Sequence, residues 1–112
     1  MCIRDSLIAD TVVGYVQWFL EQNEGQNHRL YFINVPAPIY SKDYSADLNS
    51  KVAKTVALFN AALKKYSQQH SFNLVDVFQF TVGNDGFSNG LFHLDSHHLG
   101  AKAIPEIEQQ LT

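Results

Sequence analysis

The chain has 112 residues, 46% of them hydrophobic, which supplies the apolar surface for one modest core and leaves no room for a second domain. Its formal net charge of −3, from 8 basic and 11 acidic side chains, comes without any Lys/Arg stripe, so nucleic acid is not an expected partner and the doublet Lys64-Lys65 reads as a solvated helix face. No apolar run approaches the roughly 20 residues that a membrane-spanning helix needs.

The first six residues, MCIRDS, contain no apolar core of a secretory signal. They resemble a leader found on unrelated environmental translations, so residues 1–6 are read as non-native and residues 7–112 as the protein proper. On that reading the natural N-terminus is missing, and export cannot be judged. The lone cysteine, Cys2, excludes an internal disulfide framework and a multi-cysteine zinc site.

From Leu7 to about Asn23, the apolar positions Ala9, Val12, Val13, Val16, Phe19 and Leu20 recur at intervals of three and four, which predicts a helix stopped at Gly25. RLYFINV (Arg29 to Val35) is a nearly unbroken apolar, β-prone run ended by Pro36 and Pro38, the pattern of a strand buried on both faces. Ser45 can cap a long helix carrying Leu48, Val52, Val56, Phe59, Leu63 and Tyr66 as far as about Gln69. A second strand is expected over NLVDVFQF (Asn73 to Phe80), then a turn-rich loop from Gly83 to Gly90. A last short helix near Ala101 to Leu111 tolerates Pro105 because it falls in the first turn.

Strand, long helix, strand is a βαβ unit and implies parallel pairing. The expected class is therefore α/β. Two strands and three helices are too few for a parallel sheet covered on both faces, so the chain reads as the C-terminal part of a larger α/β domain, with exposed apolar surface where further strands belong.

The densest polar chemistry is FHLDSHHLG, Phe92 to Gly100, on the loop after the second strand, where open parallel sheets collect ligands and catalytic groups. If Phe92 to Leu99 were extended, His93, Asp95 and His97 would share one face and could hold a transition metal with open positions, in a metal-binding domain or other non-enzymatic module. Alternatively, Asp95 and His98, spaced Asp-x-x-His on a turn, can pair so that the carboxylate fixes the tautomer of an imidazole acting as a base. A third reading has Asp95 capping the turn and the histidines as surface groups. His28 and His70 are expected in inter-element loops.

LDSHHLGAKAIPEI resembles the final segment of the SGNH (GDSL-type) hydrolases, which ends in Asp-x-x-His, a hydrophobic residue or proline, and a C-terminal helix. VALFNAALKKY, LVDVFQF and the glycine-rich loop also resemble the family's helix, strand and loop, and the similarity spans about Leu30 to Leu111. The resemblance implies a partial flavodoxin-like three-layer α/β/α sandwich with parallel strands. It further implies hydrolysis of a small-molecule, lipid or carbohydrate ester without a cofactor, with Asp95 orienting, His98 as general base and His97 a bystander. The family's Gly-Asp-Ser nucleophile segment has no true counterpart: RDSL (Arg4 to Leu7) imitates it, but no strand can precede Ser6. GNDG (Gly83 to Gly86) likewise reads as a turn, not as the family's oxyanion segment, and Asp76 as a strand-end or helix contact. The expectation is a chain that carries two triad members and is nearly inactive by itself.

Overall fold

The computed structural model describes residues 3–25, 30–70, 72–95 and 98–111, with side chains from Leu7 onward. Six elements follow in order: α1 (Ile3–Gln22), β1 (Tyr31–Ile33), α2 (Ala46–His70), β2 (Asn73–Val75), α3 (Phe78–Thr81) and α4 (Ala103–Gln110). The two strands pair in parallel, with Tyr31, Phe32 and Ile33 opposite Asn73, Leu74 and Val75. The long α2 makes the crossover between them, as a βαβ unit requires. The α/β class is thus the observed one.

Phe32 points to the α1/α2 side, where Val12 and Val16 of α1 meet Leu63 and Tyr66 of α2 in one buried cluster. Aromatic edges close it, with the Phe32 ring 4.8 Å from Phe72 and 6.1 Å from Phe19. Alternation along the strand sends Tyr31 and Ile33 to the opposite face. There Tyr31 donates its hydroxyl to the carbonyl of Leu111, just past α4, and the carboxamide of Gln110 bonds both backbone groups of Asp76. Helices on either side of a parallel pair make this part of a three-layer sandwich.

The helix ends follow the sequence chemistry. Ser45 Oγ accepts the N–H of Leu48 at the start of α2, and Gly25 takes φ +76° just beyond α1. Pro105 sits in the first turn of α4. The helix α1 begins at Ile3, four residues before the apolar periodicity becomes visible, so the backbone of Ser6 is helical.

Three expectations need correction. The second strand ends at Val75, not at Phe80, because Asn34 Oδ1 accepts the N–H groups of Val77 and Phe78 and Asp76 Oδ1 accepts that of Gln79, which turns the chain into α3. The first strand is not buried on both faces along its whole length: Tyr31 is partly covered on the α4 side, but Ile33 on the same face keeps 59% of its surface exposed. His70 is the last residue of α2, its ring 4.0 Å from that of Tyr66, and does not lie in a loop. His28 falls outside the described residues. On the other side of the sheet, Leu7, Tyr15 and Trp18 of α1 are exposed as well, which adds to the uncovered apolar surface.

Candidate functional site

Beyond α3, the chain folds over that short helix and returns as a small hairpin. Asn89 anchors the outward leg, its side-chain amide donating to Phe80 O and its backbone N–H to Thr81 O, while Phe92 packs edge-on against Phe80 at 4.9 Å. The glycine-flanked segment from Gly83 to Gly86 is a turn, closed by Gly86 N–H to Gly83 O, with Gly86 at φ +86° and Asp85 accepting from Phe87. Asp76, as expected, joins strand end to helix: it accepts from Asn34 Nδ2 at 2.8 Å and from Gln79 N–H.

The hairpin starts at Phe92, whose carbonyl accepts the N–H of Gly100 at 2.7 Å, and His93 and Leu99 form an antiparallel bridge. Leu94 donates its N–H to His98 O at 2.9 Å. At the tip, Asp95 Oδ1 accepts the backbone N–H of His98 at 2.8 Å. An aspartate that accepts the backbone N–H three positions later bonds as a helix-cap side chain does, and it brings the two side chains of an Asp-x-x-His sequence into register. His98 Nδ1 then lies 3.0 Å from both carboxylate oxygens of Asp95. The capping and pairing readings therefore describe one geometry: the oxygen that closes the turn also meets the ring. Both side chains are largely in solvent, 72% exposed for His98 and 52% for Asp95, so their attraction is weakly held here.

His93 stands apart from that pair. Its Nδ1 lies 2.8 Å from Ser88 Oγ, which also accepts the N–H of Gly90. Burial lowers the pKa of His93 below its ordinary value, partly opposed by the charge of Asp95. A neutral ring accepting at Nδ1 lets Ser88 donate its hydroxyl proton to it while receiving the N–H of Gly90.

The metal reading assumed an extended segment from Phe92 to Leu99. The described part is instead a hairpin in which His93 pairs with Leu99, so the segment is not extended throughout; His97, the third member of that set, lies outside the described residues. Among the described residues no three His, Cys, Asp or Glu side chains converge as metal ligands. No helix of the described chain is long and apolar enough to cross a membrane.

Sequence reasoning passed over the asparagines that hold the neighbouring loop. Asn60 of α2 accepts Val35 N–H at 2.9 Å and donates to Val35 O at 2.7 Å; Asn49, three helical turns earlier on the same face, does the same for Ser41 at 2.9 Å each way. Thr81 of α3 accepts the N–H of Ala37 at 2.9 Å. The available signal was two asparagines eleven positions apart on the inward side of a long helix, where an amide is out of place without partners.

No family model matches the chain, and no curated protein does. Among solved structures, it is similar to the crystal structure of an inferred acylhydrolase from Bacteroides fragilis, at 21% identity and a TM-score of 0.67. The match covers 92% of this chain and 49% of that one, so the chain spans about half the length of the protein it resembles. At that identity the likeness establishes the fold alone.

Proposed function

We propose that the chain is the C-terminal part of an SGNH-type ester hydrolase and contributes the acid and base of a Ser-His-Asp triad. The observation that carries this reading is the Asp95 carboxylate 3.0 Å from His98 Nδ1 on a turn that the same carboxylate closes. The acylhydrolase-like fold neighbour and the resemblance of LDSHHLGAKAIPEI to the family's last segment support it.

In this mechanism His98 Nδ1–H donates to ionised Asp95, which holds the ring so that Nε2 can accept a proton. A serine hydroxyl from the remainder of the domain attacks the ester carbonyl and gives its proton to Nε2. The imidazolium then protonates the leaving alcohol, and water, activated by the same ring, releases the acyl group. Asp95 stays ionised throughout. No cofactor enters. The proposed parent is a single domain to which residues 7–112 belong, with residues 1–6 as a non-native leader.

The exposure of the pair bears on activity. A base this open to water gains little from its carboxylate, and the proposed nucleophile lies outside this chain, so residues 7–112 alone should hydrolyse p-nitrophenyl acetate at close to background. Extending the coding sequence upstream to include a strand followed by a serine turn should restore hydrolysis, and His98→Ala in that longer protein should lower kcat by about 10³-fold or more. Hydrolysis that survives His98→Ala would overturn the reading.

A further inference from the structure

The loop from β1 to α2 is fastened more firmly than a connection needs. Val35, Ala37 and Ser41 each hand a backbone N–H to a side chain of another element, and the intervening Pro36 and Pro38 have none to give. Asn49, almost fully buried, also donates toward Tyr44 O and Ser45 O, so one carboxamide gathers the whole turn that leads into α2. Fixed in this way, the loop and Val52 of α2 enclose a hollow of about 400 Å³, within the size range of small-molecule sites.

Its lining combines Ile39 and Val52 with the rings of Tyr40 and Tyr44 and the carboxylate of Asp43. Tyr40 and Tyr44 remain 49% and 47% exposed, although Tyr40 is set edge-on against Phe87 at 5.1 Å. The Asp43 carboxylate has no partner among the described residues. A fatty acyl chain would leave that carboxylate and two phenols facing hydrocarbon. A sugar ring offers an apolar C–H face for the aromatic rings and a rim of hydroxyls for the carboxylate. The hollow also shares its scaffold with the histidine hairpin: Ser88 donates its N–H to Pro38 O at 2.8 Å, and its hydroxyl lies 2.8 Å from His93 Nδ1.

We propose that this hollow binds one pyranose ring of a saccharide, stacked on Tyr40 and Tyr44 with vicinal hydroxyls donated to Asp43. Its role as the sugar side of an O-acylated saccharide substrate rests on the ester-hydrolase reading; the binding itself does not. The test is a titration of the 112-residue chain, labelled with ¹³C at tyrosine, with xylotriose, cellotriose, chitotriose and a galacturonic acid trimer, and separately with sodium octanoate. At least one saccharide should give saturable shifts at Tyr40 and Tyr44 while Tyr31 stays unmoved. Asp43→Asn and Tyr40→Ala should each weaken binding about fivefold or more, the size expected on losing a charged acceptor or a stacked ring, whereas Tyr40→Phe and His98→Ala should retain it.

No saturable shift with any of the four saccharides, saturation by octanoate alone, or shifts unchanged in Asp43→Asn and Tyr40→Ala would each overturn the proposal. The two readings fail separately. Saccharide binding without ester hydrolysis in the upstream-extended protein removes the enzyme and leaves the subsite, and the converse result removes only the subsite.

Discussion

Replacing Asn60 by leucine tests whether side-chain amides, and not strand pairing, hold the backbone just beyond β1. Asn60 is 7% exposed, and both ends of its carboxamide are engaged by Val35, at 2.9 Å to the N–H and 2.7 Å to the carbonyl. Leucine is close in size, so the cavity contribution is small and the change isolates the two hydrogen bonds. Each is worth about 0.5–1.5 kcal/mol net, giving about 1–3 kcal/mol for the pair, because Val35 is exposed enough for water to replace part of what is lost. For a domain of this length that lowers Tm by about 5–15 °C. The assay is urea denaturation followed by circular dichroism, with Asn73→Ala as control: Asn73 makes one exposed bond of 3.3 Å to Leu30 O, and its loss should cost under about 0.5 kcal/mol. If Asn60→Leu is no more destabilising than Asn73→Ala at equal m-value, the two-point clamp contributes nothing and the argument from it fails.

Four further outcomes follow from the same geometry. Leu63→Ala, in the cluster joining α1, α2 and β1, should cost about 2–5 kcal/mol in the same denaturation assay, and a loss below about 1 kcal/mol would mean that this cluster is not the core. His93, with its pKa lowered by burial, binds a proton less readily folded than unfolded, so its stabilising contribution is intact above about pH 6.5 and declines as pH falls through that value toward the folded pKa; Tm measured from pH 7.5 to 5.0 should drop less steeply in His93→Gln than in the parent chain. Long-range ¹H–¹⁵N spectra at pH 8 should show His98 protonated at Nδ1, and Asp95→Ala should shift the tautomer population toward Nε2–H; an unchanged population would dissociate the carboxylate from the ring. Ile33→Lys should reduce any concentration-dependent association seen by sedimentation, because it places a charge in the uncovered apolar surface beside the short sheet.

Local chemistry was readable wherever the signal lies within a few residues. The apolar spacing of Val12, Val16 and Phe19, the Ser45 cap and the Gly25 stop depend on helix periodicity and on backbone groups close by in the chain, so α1 and α2 could be placed without knowing their neighbours. The parallel strand pair followed from the length of the intervening helix. The adjacency of Asp95 and His98 was legible for a similar reason, since a capping carboxylate reaches the backbone N–H three positions on.

Long-range partners decided the rest. NLVDVFQF has the composition of one strand, yet it is strand and then helix because Asn34, some forty positions away, takes the N–H groups of Val77 and Phe78. Ile33 belongs to an apolar run that reads as buried on both faces, but burial depends on what lies against each side chain, and the described elements leave Ile33 open. The roles of Asn49, Asn60 and Thr81 are similarly invisible in one dimension, because a carboxamide or hydroxyl declares its purpose only when a distant backbone arrives beside it. Periodicity and turn chemistry are properties of neighbours along the chain, whereas hydrogen-bond satisfaction and burial are properties of neighbours in space.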